Sequence, residues 1–148
     1  MRAHAAAHGL DLQVKRFTAS TRTAEDAARE IGTTVDRIVK SLVFDADGAA
    51  VLVLCSGAAR VDTEKLAQAL GVAAVRRATA DEAKRASGYA IGGVPPFGHA
   101  GPLRVLLDEG LLSFDEVWAA SGLPDAVFPI HPRDLLRVSG ASVVKVAG

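Results

Sequence analysis

The sequence predicts an α+β domain built round a mainly antiparallel sheet. Segments with strand patterning outnumber helical ones along the 148 residues, and two apolar runs are joined by Asp45-Ala46-Asp47-Gly48, a hairpin turn signal. Beyond the alanines at its start the chain shows no repeat, linker or low-complexity tract. Strands joined by hairpins, with helices between them, favour an antiparallel α+β arrangement over a parallel one. A hydrophobic share of 49% gives a chain of this length enough apolar material for a core, so residues 1–148 are expected to form one domain.

The elements follow in order. Residues 2–9 read as a helix and Leu12 to Phe17 as a strand. Thr23 is placed to cap a helix from Ala24 to Ile31, which Gly32 ends. The hairpin Ile38–Phe44 and Ala49–Cys55 comes next, then a helix from Thr63 to Leu70 between Asp62 and Gly71. Ala73 to Arg77 reads as a short strand, and Thr79 or Asp81 opens a helix that reaches Ser87. Leu103 to Asp108 is a strand, Glu116 to Ala120 fits either state, and Ala126 to Ile130 is a strand. Pro132 suits the first turn of a helix, and Ser142 to Val146 closes the sheet.

Two segments stand out chemically. Alternation along the first hairpin strand puts Ile38, Lys40, Leu42 and Phe44 on one face and Val39, Ser41, Val43 and Asp45 on the other. Lys40 is then a single charge among large apolar neighbours. Either it snorkels from an edge, or its ammonium reaches a partner or a cavity, since an unpaired buried charge costs several kcal/mol. The second segment, Tyr89 to His99, packs three glycines, two prolines and a histidine into eleven residues without repetition. Glycine allows bare backbone to approach a ligand and proline stiffens the chain, so this is a built loop, suited to a ligand shelf or to a tight connection.

Taken together, Thr21-Arg22-Thr23-Ala24, the lysine strand Ile38-Val39-Lys40-Ser41-Leu42-Val43-Phe44 and the loop Gly88-Tyr89-Ala90-Ile91-Gly92-Gly93-Val94-Pro95-Pro96 resemble the YbaK/ProX family of free-standing aminoacyl-tRNA deacylases. These are relatives of the editing domain of bacterial prolyl-tRNA synthetases, and the likeness runs from about Leu10 to the end. It implies a mixed, mainly antiparallel, curled and barrel-like sheet flanked by helices. It also implies a trans-editing hydrolase that clears mischarged tRNA, with aminoacylated tRNA as partner and an aminoacyl-tRNA synthetase as a further candidate. In that scheme Lys40 reaches the terminal adenosine or the ester carbonyl. The backbone of Gly92, Gly93 and Val94, with Pro96 completing the motif, positions the ester and stabilises charge on its oxygen. Water attacks, helped by the substrate's own ribose hydroxyl, with no cofactor and no metal. Ser121-Gly122-Leu123-Pro124 departs from the Ser-Gly-Gly pattern of the cysteine-specific branch, and Pro95 stands where that branch often has serine. Both point to proline tRNA carrying a small non-cognate amino acid such as alanine, 2-aminobutyrate, serine or threonine. Thr21, Ser41 and Ser121 are candidates to tune that pocket, and His99, which closes the shelf, is a candidate substrate contact on local grounds.

Composition narrows the classes. Seventeen basic residues balance seventeen acidic ones, which argues against a general nucleic-acid binder and leaves only local footprints at Lys15-Arg16, Arg22, Arg76-Arg77 and Lys84-Arg85. No basic recognition helix is evident, so specific DNA binding is not expected. No apolar stretch is long enough for a membrane span and the alanine-rich start lacks a signal core, so the expected location is cytoplasmic. His4 and His8 are four apart but have no evident third metal ligand, Lys40 with Ser41 is not a simple serine–lysine dyad, and the shelf lacks the lysine of a phosphate loop. Cys55 reads as a small buried hydrophobe and His131 as a strand-end residue outside the site. The principal alternative to an enzyme is a non-catalytic module that binds an aminoacyl or amino-acid ligand.

Overall fold

The computed structural model describes residues 1–17, 23–123 and 125–148. Its order is α1 (Arg2–Ala7), β1 (Lys15–Arg16), α2 (Ala24–Ile31), β2 (Val39–Ala46), β3 (Ala49–Ser56), α3 (Thr63–Leu70), β4 (Val75–Arg77), α4 (Ala80–Ser87), β5 (Arg104–Asp108), β6 (Val117–Ala120), β7 (Ala126–Ile130), α5 (Pro132–Ser139) and β8 (Ser142–Val144).

The local signals act where the sequence places them. Thr23 Oγ1 accepts from the Asp26 amide to cap α2, and Asp62 accepts from the Glu64 and Lys65 amides to cap α3. Thr79 and Glu82 form a reciprocal capping box on α4. The β2–β3 hairpin turns through Asp47 and Gly48, both at positive φ, 50° and 91°, which suits the right-handed twist of its strands. The Asp47 carboxylate also accepts from the Ala73 and Ala74 amides, fastening the turn to the approach of β4.

The strands form two sheets. One has the order β4-β2-β3-β5-β8 and the other β1-β7-β6. Four of the six pairings are antiparallel; β3 with β5 and β5 with β8 are parallel. This is the expected mixed, mainly antiparallel α+β arrangement, and it is not a closed barrel. A closed barrel gives every strand two neighbours, whereas β4 and β8 end one sheet and β1 and β6 end the other. A single parallel bridge between Ile38 and Trp118 links the two.

Other expectations are corrected at the level of pairing. The strand expected over Leu12 to Phe17 shrinks to Lys15–Arg16, which pair with Val127 and Ala126. Leu12 is buried in the core without being in a strand, so the apolar alternation there marked burial and not a ladder. The ambiguous segment resolves as β6, preceded by a 3-10 turn over Glu109–Ser113 that the sequence did not announce. Buried Asp108 holds this corner, accepting from Gly110, Val146 and Ala147 amides.

Both faces of β2 are covered. Val39 and Val43 join Leu52, Leu54, Phe97, Phe128 and Leu135 in the main core, whereas Phe44 joins Val51, Val53, Leu66 and Leu106 in a second. Burial of each large side chain contributes about 1.5–3 kcal/mol. Ile38 belongs to a third cluster with Ala27 and Ala28 of α2. No helix among the described residues is long and apolar enough to cross a membrane.

Candidate functional site

The site begins at an incomplete strand edge. β3 pairs with β2 along its whole length, but β4 pairs only with Phe44, Asp45 and Ala46 on the other side. The edge is therefore open toward the start of β2, and a cleft of about 500 Å³ wraps round it. Ile38, Val39, Lys40, Ser41 and Leu42 all line this cleft. Alternation places Lys40 and Ser41 on opposite faces, yet a cavity that embraces the strand's edge receives both. Opposite them stand Phe17, Ala27, Trp118 and Val127, and half-exposed Ile91 and Leu123 form apolar lips.

Lys40 is the only charged residue lining the cleft among those described. It is half-buried, its Nζ donates to the Ala59 carbonyl, and no described carboxylate pairs with it. Behind it, its cross-strand partner Cys55 is fully buried. Burial pushes that thiol above its ordinary pKa and the Lys40 charge opposes the rise, so Cys55 stays a protonated core residue, as expected. Ser41 Oγ is buried with no hydrogen-bond partner among the described residues. Such an orphaned hydroxyl costs about 1–3 kcal/mol and is uncommon away from functional sites.

The Gly-Pro loop supplies the third part. Gly93 N–H donates to the Ala90 carbonyl at 3.0 Å, closing a turn in which Gly92 has φ +89°. The shelf is held from below. Gly93 to Phe97 are buried, Ser87 Oγ donates to the Ala83 carbonyl and accepts from the Tyr89 amide, and the Phe97 ring lies 5.8 Å from that of Phe128. Gly92 and Val94 line the cleft, and neither amide donates to any described residue. A Cβ on Gly92 would meet nothing within 4 Å, although its φ still favours glycine.

The expected site residues thus divide. Lys40, Ser41, Gly92 and Val94 come together in the cleft. Gly93 does not line it, and its amide is consumed by the turn; Pro96 is buried beneath the shelf. His99 is not among the residues that line the cleft, and its Nε2 donates to the Pro95 carbonyl at 2.7 Å. Burial, with neighbouring His4, holds its imidazole below the ordinary 6.5 although the Pro95 hydrogen bond works the other way. Ser121 lies in an adjoining groove, and Thr21 and Arg22 fall outside the described residues. His4 donates to the Val138 carbonyl and stacks on His8 and Phe97; His131 caps α5 by accepting from the Arg133 amide. Among the described residues no group of three His, Cys, Asp or Glu is arranged to hold a metal. The apolar walls Phe17, Trp118 and Val127 escaped sequence reading, because they come from three separated segments with no shared motif.

Among the described residues, a lone cation, two amides without partners and an orphaned hydroxyl in an apolar cleft suit an uncharged polar group that develops negative charge, such as an ester. The chain is 34% identical over 144 residues to the uncharacterised protein YwhH of Bacillus subtilis (strain 168), covering 97% of this chain and 91% of that protein. It is 34% identical over 97 residues to the proline–tRNA ligase of Thermosipho africanus (strain TCF52B), covering 66% of this chain but only 17% of the ligase. A crystal structure of a candidate trans-editing enzyme for prolyl tRNA synthetase superposes with a TM-score of 0.90 at 44% identity, over 99% of this chain and 90% of that one. The aminoacyl-tRNA editing domain model matches residues 18–138, a span that takes in β2, the Gly-Pro shelf and every wall of the cleft except Phe17, and the chain belongs to that family.

Proposed function

We propose that this chain, acting as a single domain, is a trans-editing hydrolase that removes a small non-cognate amino acid from mischarged proline tRNA. The observation that carries this reading is the meeting, in one apolar cleft, of the Lys40 ammonium, the Gly92 and Val94 amides and the Ser41 hydroxyl, the last three without a partner among the described residues. The named chemistry of the similar crystal structure and the partial match to proline–tRNA ligases support it.

In this reading the aminoacyl ester enters with the terminal adenosine against the apolar walls. Lys40, steered by the Ala59 carbonyl, supplies positive charge to the ester carbonyl or the adjacent phosphate. The Gly92 and Val94 amides meet the oxygen as it becomes tetrahedral; Gly93 and Pro96 serve by holding the turn and the floor. Ser41 Oγ meets a polar group of the aminoacyl ribose. The family resemblance implies that the substrate's own ribose hydroxyl helps the attacking water; no carboxylate or imidazole lines the cleft among the described residues, which suits catalysis by positioning and electrostatics.

The test is release of amino acid from proline tRNA charged with alanine, 2-aminobutyrate, serine, threonine, cysteine or proline. Hydrolysis of a small non-cognate member with proline spared is expected. Retention of the aminoacyl ligand without turnover would replace the enzyme with a binding module, and hydrolysis of the cysteine ester alone would overturn the substrate class.

A further inference from the structure

A second groove of about 380 Å³ adjoins the cleft, and the two share Leu123 and Ala126 as walls. Where the cleft is apolar with one cation, the groove presents Arg2, Arg16, Tyr89 and Ser121. Both arginines are exposed. Arg2 has no carboxylate partner among the described residues, while Arg16 is paired with Asp125 at 2.8 Å and its side chain stays 64% exposed. Tyr89 is anchored at its hydroxyl, which donates to the Gly98 carbonyl, and a Cβ on Gly122 would fall 2.9 Å from its ring. That contact sets Gly122 against the ring, which also packs on the main core. Exposed cations in a groove that adjoins a nucleotide-sized cleft suit the phosphates of a single-stranded nucleic acid.

We infer that this groove receives the nucleotides preceding the terminal adenosine, with Arg2 and Arg16 meeting their phosphates. The inference rests on the proposed editing reading and supplies what a neutral chain otherwise lacks, a local cationic track. The Arg76-Arg77 cluster is differently committed. Arg76 is bound by Glu82 in two hydrogen bonds of 2.8 and 2.9 Å, and the Arg77 guanidinium lies 5.7 Å from the Phe44 ring centroid. Neither lines the cleft or the groove. Asp125 tempers the track, so its removal is an informative gain of function.

The experiment compares wild type with Arg2→Gln, Arg16→Gln, the double variant and Asp125→Asn. Binding is read by fluorescence anisotropy of a single-stranded RNA ending in CCA, as a function of salt. Turnover is read on mischarged proline tRNA and on 3′-aminoacyl-adenosine, which has no phosphate. The double variant should bind the RNA about ten-fold more weakly, with a salt slope reduced by about one for each phosphate no longer neutralised. On tRNA its KM should rise with kcat unchanged, and on aminoacyl-adenosine nothing should change. Asp125→Asn should bind several-fold more tightly. Unchanged RNA affinity in the double variant, or equal losses on both substrates, overturns the groove assignment even if editing is real. Arginine-dependent RNA binding without hydrolysis by wild type would leave the groove assignment standing and sink the editing reading instead.

Discussion

Replacing Lys40 with methionine separates the two roles a half-buried lysine can have. Methionine keeps most of the aliphatic stem that packs beside Leu42 and Cys55 but removes the charge and the hydrogen bond to the Ala59 carbonyl. A hydrogen bond to a charged group contributes about 1.5–3 kcal/mol, and the partial desolvation of an ammonium with no carboxylate partner opposes it by a comparable amount. The expected net change in stability is within about 1 kcal/mol of zero, or roughly 2–4 °C in Tm for a chain of this size. The transition state has no such compensation. Loss of one donor at a developing oxyanion costs about 2.7–4 kcal/mol, a fall of roughly 10²–10³ in kcat/KM. The assay is single-turnover release of alanine from mischarged proline tRNA, alongside thermal unfolding of the same preparations. A variant within about three-fold of wild-type activity would remove Lys40 from the mechanism. A large drop in Tm with proportionate loss of activity would make it a structural lysine.

Ser41→Ala should stabilise the protein by about 1 kcal/mol, since it deletes a buried hydroxyl with no described partner, while lowering kcat/KM; a variant that is less stable and fully active refutes its assignment to substrate. For Gly57→Ala, the new Cβ would sit 2.6 Å from the Val35 carbonyl oxygen and 3.0 Å from Ala24 Cβ, so the segment leading to Ala59 must shift. A loss of about 1–3 kcal/mol in denaturant unfolding is expected, with reduced activity below the melting range because the anchor of Lys40 moves. His99 resists protonation in the folded chain, so below pH 6.5 the unfolded chain binds more protons than the folded one. Its contribution to stability is complete above 6.5 and declines as the pH falls below that value, and His99→Gln should flatten this part of the Tm profile; an unchanged profile would show that other groups set it.

Much of this protein was legible in its sequence because the relevant signals are local. A cap residue acts within three positions, as Thr23, Asp62 and Thr79 do, and the Asp47-Gly48 turn sets the register of the whole hairpin. Lys40 and the Gly-Pro loop were recognisable for the same reason, being short runs with unusual composition. The sequence alone, through these, determined most of the elements, the hairpin, the α+β class and the two segments proposed to make the site. Only the tertiary structure decided that β4 stops short at Phe44, which opens the edge of β2 and brings Ser41 into the same cleft as Lys40. It also decided that the Gly93 amide closes a turn while those of Gly92 and Val94 find no partner among the described residues, and that the strands stay in two sheets without closing. Each of these depends on which distant backbone groups find partners. Hydrogen-bond partners across a fold are set by packing between remote segments, and no local pattern along the chain encodes them.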